Sequence, residues 1–177
     1  MKKNTSGFTI VELLIVIVVI GILAAITIVA FNGIQNRAEN TKTTQALTSV
    51  AKALQLYRVD NGDYPTSVDG CIGTSTTYTA SYSGRCWASS TSGWVVNGNL
   101  ATALANYIKA LPEPSNKNNN DATDQYRGAL YQYVNATDIR LYGSFLGISS
   151  CPSISGVSYL ANYTRTNGLS CVYRLPV

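Results

Sequence analysis

A continuous apolar segment near the N-terminus constrains this chain more than any other feature. From Phe8 to Phe31 the sequence reads FTIVELLIVIVVIGILAAITIVAF, with Glu12 as its single charged residue. At a rise of about 1.5 Å per residue, a helix of this length measures about 36 Å and can cross the ~30 Å hydrocarbon core of a bilayer. Because apolar residues surround such a helix on all sides, we expect it to face lipid, other apolar helices or both.

The composition excludes several classes of catalytic site. Histidine is absent, which excludes Ser–His and Cys–His nucleophile systems, histidine general bases and the usual His-containing zinc sites. The 13 Lys and Arg residues against 9 Asp and Glu leave a net charge of +4, an excess too small to indicate nucleic-acid binding by itself. No paired catalytic constellation is visible, so we predict no catalytic residues and no enzyme.

The segment before the apolar run, residues 1–7, is short and basic. A secretory signal has an apolar stretch of about 7–15 residues that ends in a small-residue cleavage site, whereas this run is longer and no such site clearly ends it. Lys2 and Lys3 should stay in the cytoplasm, which directs the C-terminal part of the chain outward. The simplest interpretation is a single-pass anchor that carries an exported binding domain or enzyme.

Glu12 does not fit a simple anchor. A carboxylate in an apolar helix costs about 2.5–3.5 kcal/mol at the bilayer centre and less near the interface. One interpretation is that Glu12 only interacts with the helix N-terminus, where an anion is favoured. The other is that it has a functional partner within the membrane.

The string Gly7-Phe8-Thr9-Ile10-Val11-Glu12-Leu13-Leu14 resembles the processing and assembly signature of type IV pilins and pseudopilins. The resemblance covers the basic leader, the glycine, the phenylalanine after it, the glutamate and the whole apolar segment. It implies that a prepilin peptidase cleaves between Gly7 and Phe8 and methylates the new N-terminus of Phe8. It also implies that Glu12 neutralises the Phe8 amine of a neighbouring subunit during filament growth, and no cofactor is implied.

A filament subunit is therefore the expected function, with assembly through the N-terminal apolar helices. Such filaments serve adhesion, motility, DNA uptake or secretion, and the alternatives within the family are a type II secretion pseudopilin and a minor pilin. The implied partners are further copies of this chain, minor pilins, the prepilin peptidase, and the inner-membrane assembly platform with its motor. The precursor would lie in the inner membrane with its C-terminus outside, and then in an extracellular or periplasm-spanning filament.

The segment after Phe31 predicts a helical continuation with one apolar face. An apolar stripe at spacings of three and four is formed by Leu47, Val50, Ala51, Leu54 and Tyr57. Asn61-Gly62, followed by Pro65, is typical of a helix end. We expect a leader over 1–7, an apolar helix over 8–31, an amphipathic helix over 32–62 and an exported domain over 63–177.

The exported domain is predicted to contain a small antiparallel sheet packed on the apolar stripe, which makes the fold α+β. The expected strands are Thr76–Tyr82, Gly93–Val96, Gly128–Val134, Ile139–Phe145, Val157–Tyr163 and Ser170–Leu175. A short helix is expected over Leu100–Leu111, ended by Pro112 and Pro114.

Four cysteines suit an oxidising compartment, and no C-x-x-C pair is present to indicate a zinc or thioredoxin-like site. They are Cys71, Cys86, Cys151 and Cys171, for which three disulfide pairings are possible. Pairing of neighbours, Cys71 with Cys86 and Cys151 with Cys171, is preferred, and the second pair resembles the C-terminal disulfide loop of many pilins. Each bond would contribute about 3 kcal/mol to stability.

Two further binding functions are considered. The oxygen-rich segment 118–124 contains Asp121 and Asp124, which could ligate calcium, but it lacks the EF-hand spacing, so a solvated loop is preferred. Scattered arginines among tyrosines could form a nucleic-acid surface, but such residues more often cover the edges of a core. The arginines concerned are Arg127, Arg140, Arg165 and Arg174.

Overall fold

The computed structural model describes residues 7–74, 77–78, 85–88, 93–117, 119 and 124–177. One long helix, α1, spans Ile10–Asn61. It is followed by β1 (Gly70–Ile72), β2 (Arg85–Ala88), β3 (Gly93–Val95), α2 (Gly98–Ala103), β4 (Gln125–Tyr126), β5 (Ala129–Asn135), β6 (Asp138–Leu146), β7 (Ser158–Arg165) and β8 (Gly168–Arg174). These elements confirm the predicted α+β class.

The chain forms two compact units, with the boundary between Gln35 and Asn36. The first contains the apolar part of α1, and the second contains the rest of α1 with every strand. The helix ends where it was predicted to end, because Gly62 adopts a positive φ of 83° and its N–H donates to the Arg58 carbonyl at 2.8 Å.

A five-stranded antiparallel sheet is the main layer of the second unit, in the order β1-β5-β6-β8-β7. Alternate residues of its strands face α1, and Tyr131, Leu141 and Phe145 among them are fully buried. These side chains share one core with Leu47 and Leu54 of the predicted apolar stripe, so the predicted packing of the helix on the sheet is confirmed.

Two details bring the helix and the sheet into close contact. A Cβ at Gly143 in β6 would lie 2.7 Å from the Leu47 side chain, so the absence of a side chain lets the helix approach. At the end of β6, the Asn40 amide pairs with the Leu146 backbone: it donates to the carbonyl at 2.9 Å and accepts from the N–H at 2.8 Å. Asn40 therefore satisfies a strand end that would otherwise leave its polar groups unpaired.

A second, three-stranded sheet in the order β3-β2-β4 covers part of the opposite face of the large sheet. Cys86 and Trp94 of this small sheet pack against Leu130 and Tyr142 of the large one. The disulfide between Cys71 and Cys86 joins β1 of the large sheet to β2 of the small sheet.

Three expectations for residues 63–177 differ from the structure. The strands β1, β2 and β4 were not predicted, and each has only two to four residues. Within the expected strand Thr76–Tyr82, Thr77 and Tyr78 form a turn instead, because the Thr77 N–H donates to the Thr74 carbonyl at 3.0 Å. The other residues of that segment lie outside the described part of the chain.

The second helix is also shorter than expected, since α2 covers only Gly98–Ala103. It begins at Asn97, whose side chain accepts from the Asn99 N–H at 2.9 Å. After α2 the chain turns, and the Tyr107 hydroxyl donates to Asp60 at the end of α1 at 2.9 Å. This long-range contact competes with helix continuation, which local spacing alone had favoured.

Candidate processing and assembly site

The predicted cleavage site lies immediately before α1 in an exposed segment. Gly7, Phe8 and Thr9 precede the first helical residue, Ile10, and the Phe8 side chain is 82% exposed. A Cβ added at Gly7 would meet no other atom within 4 Å. The fold therefore has no steric requirement for glycine at this position.

Glu12 and Thr9 form a reciprocal helix cap. The Thr9 hydroxyl and backbone N–H donate to one Glu12 carboxylate oxygen, at 2.7 and 2.9 Å, and the Glu12 N–H donates to the Thr9 hydroxyl at 3.2 Å. This is the capping box, in which two unpaired donors at a helix start are satisfied together. The role of Thr9 was not predicted, although a threonine three residues before a glutamate is the usual signal for it.

The first unit presents an almost wholly apolar helical surface. Its most apolar 18-residue window has a mean hydropathy of 3.3, and no part of that window is buried. Exposure of large apolar side chains ranges from 47% at Val16 to 84% at Ile10. An exposed apolar surface of this extent requires a lipid or protein environment. The helix is also long and apolar enough to cross a membrane.

The position of Glu12 suits a charge pair with a second chain. Glu12 lies in the first turn of α1, four positions after Phe8 in the sequence and near the start of the apolar surface. Its contacts to Thr9 involve a single carboxylate oxygen, and among the described residues no hydrogen bond to the other oxygen is formed. A carboxylate can accept about four hydrogen bonds, so the Glu12 carboxylate retains the capacity to bind an amine.

Both disulfides are formed within the second unit. Cys71 is bonded to Cys86 with a Cα–Cα distance of 5.5 Å, and Cys151 to Cys171 with 5.8 Å. Their sequence separations are 15 and 20 residues, so each bond closes a short loop. Cys171 lies in β8, between β6 and the edge strand β7, and the second bond therefore ties the segment before β7 to an inner strand of the sheet.

The proposed calcium residues are only partly described. Asp121 lies outside the described residues, and Asp124 accepts a hydrogen bond from the Tyr126 hydroxyl at 3.3 Å. Within the described part of the chain, no cluster of three or more Cys, Asp or Glu side chains could hold a metal ion.

The four arginines considered for nucleic-acid binding have partners inside the domain. Arg140 donates hydrogen bonds to the Asp138 carboxylate, one of them at 2.9 Å. These bonds are the main reason why the pKa of Asp138 lies below its ordinary value. Arg174 lies 3.4 Å from the same carboxylate. Arg127 is buried and donates to Gln125, and the guanidinium of Arg165 lies over the Tyr126 ring.

Comparison with protein families shows two matches in the N-terminal half. Residues 2–28 match the family described as the prokaryotic N-terminal methylation motif. Residues 31–88 match type II secretion system protein G. The resemblance to type IV pilins and pseudopilins is thereby confirmed, and no solved structure is significantly similar to the chain.

Individual relatives come from both branches of this group. The type II secretion system core protein G of Aeromonas hydrophila is 36% identical over 69 residues, which are 39% of this chain and 48% of the relative. The corresponding protein of Escherichia coli K12 is 36% identical over 64 residues, 36% of this chain and 44% of the relative. The type IV wide pilus major component of Thermus thermophilus is 42% identical over 62 residues, 35% of this chain and 47% of the relative. The chain thus spans about half the length of the curated relatives it matches.

Proposed function

We propose that this chain is the precursor of a non-enzymatic structural subunit of a type IV pilus-like filament. The observation that carries the proposal is the exposed apolar helix, most of which lies within the matched N-terminal methylation motif. A surface of this kind is stable in a bilayer before assembly and among identical helices after it. The same surface thus accounts for both the precursor in the membrane and the assembled filament.

Processing would create the partner that Glu12 needs. Cleavage between Gly7 and Phe8 leaves a positively charged α-amino group on Phe8 at the edge of the apolar surface. In a filament, this amine and the Glu12 carboxylate of a neighbour would form a pair that removes two costly isolated charges. Because such a pair forms at one axial offset only, it would also set the register between adjacent subunits.

The proposed partners and location follow from this cycle. A prepilin peptidase would act on the cytoplasmic side, where Lys2 and Lys3 hold the leader. An inner-membrane platform with its motor would extract subunits from the membrane, and minor pilins would join the same filament. The segment from about residue 63 onward would lie outside the cytoplasm, where its two disulfides can form and persist.

A type II secretion pseudopilin is the second candidate. It is favoured by the match to protein G, which covers the amphipathic part of α1 and continues as far as residue 88. Deletion of the chain from its host separates the two candidates. Loss of surface filaments in electron micrographs supports a pilus subunit, whereas accumulation of exported proteins in the periplasm supports a pseudopilin.

Two substitutions of Glu12 test the assembly mechanism. Glu12→Val removes both the charge and the helix cap, whereas Glu12→Gln removes the charge but retains an acceptor for Thr9. We expect both variants to be cleaved and to enter the membrane, and both to form few or no filaments in electron micrographs. Mass spectrometry of the mature N-terminus provides the control for processing. Wild-type filament numbers in either variant would contradict the charge pairing.

A further inference from the structure

A cavity of about 410 Å3 lies between the two sheets of the second unit. Its floor is the face of the large sheet that points away from α1, and its other wall is the small sheet. The volume falls in the range of about 300–1,000 Å3 that is typical of small-molecule sites. Filament assembly through α1 gives this cavity no role.

The walls of the cavity are predominantly aromatic. Trp87, Trp94 and Tyr126 contribute from the small sheet, and Tyr142 and Tyr163 from the large sheet. Trp87 and Tyr126 lie on paired strands, with ring centroids 6.3 Å apart and planes inclined by 33°. Aromatic rings that line a cavity offer apolar faces on which a ligand can stack.

Two contacts join the two sheets at the cavity. The Cys71–Cys86 disulfide links them covalently, and Cys86 itself lines the cavity. The Arg165 guanidinium of the large sheet lies 3.5 Å from the centroid of the Tyr126 ring of the small sheet, and its Nε donates to Ser170 at 3.1 Å. These restraints fix the walls before a ligand arrives, which lowers the entropic cost of binding.

Two hydrogen-bond donors on the cavity wall have capacity for a ligand. The indole Nε1 of Trp87 is buried and has no partner among the described residues. The Gln132 side-chain oxygen accepts from the Tyr142 hydroxyl at 2.9 Å, which orients the amide, and its nitrogen makes no side-chain hydrogen bond within the described part of the chain. A buried donor without a partner is uncommon in proteins and costs stability, so an incoming acceptor would be favoured.

We propose that this cavity binds one or two pyranose rings of a neutral glycan. A sugar ring has one face of C–H groups, which can stack on aromatic side chains, and a rim of oxygens that can accept from Trp87 and Gln132. The Ser144 and Ser170 hydroxyls line the same cavity and can pair with sugar hydroxyls. A purely apolar ligand would leave the indole donor unsatisfied. Because Arg165 is held against Tyr126 and Ser170, the site suits stacking on a sugar ring better than binding the phosphates of a nucleic-acid strand.

Intrinsic fluorescence gives a specific test, since the chain contains two tryptophans and both line the cavity. The full chain is placed in a zwitterionic detergent that carries no sugar and titrated with cellobiose and with diacetylchitobiose. We expect a saturable change in tryptophan emission with at least one disaccharide. Mannitol, an acyclic polyol, is the control ligand and should give no saturable change.

Two tyrosines on β7 form a matched pair of variants. Tyr163 lines the cavity and is 51% exposed, whereas Tyr159 is 56% exposed and lies outside it. We expect Tyr163→Ala to weaken binding about tenfold or more and Tyr159→Ala to leave it unchanged. Trp87→Phe, which retains an aromatic ring but lacks the donor, should also weaken binding, with Trp94 as the remaining reporter.

Three results would overturn the proposal. They are the absence of saturable binding to both disaccharides, equal affinities in the two tyrosine variants, and binding of oligothymidylate in place of the sugars. The titration does not depend on filament formation, so its failure leaves the proposed assembly function intact. Conversely, a chain that binds sugar but forms no filament would contradict only the assembly proposal.

Discussion

The Glu12 carboxylate accepts hydrogen bonds from both the hydroxyl and the backbone N–H of Thr9, at 2.7 and 2.9 Å. The single acid of the apolar segment is therefore fixed in the first turn of α1, where the helix dipole favours a negative charge. One carboxylate oxygen of Glu12 receives both Thr9 donors. We infer that the cap thereby orients the other oxygen for the amine of a neighbouring subunit.

Removal of the Thr9 hydroxyl tests this positioning role. Thr9→Val preserves the side-chain shape but loses the two hydroxyl hydrogen bonds of the cap, which costs about 0.5–2 kcal/mol of helix stability. We expect normal cleavage and membrane insertion, with slower filament growth and fewer filaments in time-resolved electron micrographs. Thr27→Val is the matched control, because its hydroxyl donates only to the Ala24 carbonyl within the same helix, at 3.0 Å. Equal filament growth in both variants would show that the cap does not contribute to assembly.

Gly7 provides a test of processing that the fold does not confound. A side chain at Gly7 meets open space, so Gly7→Val should leave the structure unchanged and act only on the peptidase. We expect an uncleaved precursor, detected by intact mass, that retains residues 1–7. Gly21→Ala also places a methyl group in open space and should be cleaved normally. A mature N-terminus at Phe8 in the Gly7 variant would rule out the proposed cleavage site.

Loss of the second disulfide should affect the second unit alone. The double substitution Cys151→Ser and Cys171→Ser opens a loop of 20 residues, which costs about 3 kcal/mol. This is a large fraction of the 5–15 kcal/mol typical of a domain, so we expect increased cleavage by added protease. Cleavage at Gly7 and membrane insertion should be unchanged, because both depend on the N-terminal segment. Wild-type protease resistance would indicate that the bond contributes little to the fold.

The pairing of Asn40 with the Leu146 backbone should be important for the attachment of α1 to the sheet. Asn40→Ala removes both hydrogen bonds and leaves a partly buried backbone N–H and carbonyl without this partner. We expect a loss of about 1–3 kcal/mol in the free energy of unfolding, measured by denaturant titration of the full chain in detergent. Lys42→Ala is the control, because Lys42 lies two positions further along the same helix on its exposed side. It should change the free energy of unfolding by less than about 0.5 kcal/mol.

Asp138 should make stability depend on pH in the acidic range. Hydrogen bonds from Arg140 hold the pKa of Asp138 below its ordinary value, so its ionised form stabilises the fold above the unfolded-state pKa of about 3.9. This contribution is lost as the pH falls through the lower folded-state pKa. We expect Asp138→Asn to lower the thermal midpoint at neutral pH, and the difference from wild type to shrink below about pH 4. A difference that stays constant down to about pH 2 would contradict this role.

The candidate site was largely predictable because its information is local. The apolar segment, the leader and the residues around Glu12 lie within 31 consecutive positions, and their meaning depends on order and spacing rather than on distant contacts. The stripe around Leu47 and Leu54 was predictable for the same reason. Only the capping role of Thr9 was missed, although its spacing to Glu12 is also local.

Tertiary structure alone decided the arrangement of the sheets in the second unit. The four cysteines allowed three pairings, and the approach of β1 to β2 selects Cys71 with Cys86. The small sheet brings together Trp87 and Tyr126 from strands too short to show a periodicity, and the cavity adds Tyr163 from the far edge of the large sheet. Sequence order by itself determined a membrane-competent helix with its processing signal, because a helix repeats within a few residues. It did not determine the sheet pairing or the cavity, because these depend on contacts between segments tens of residues apart. The free energy of such contacts cannot be read from a local sequence pattern.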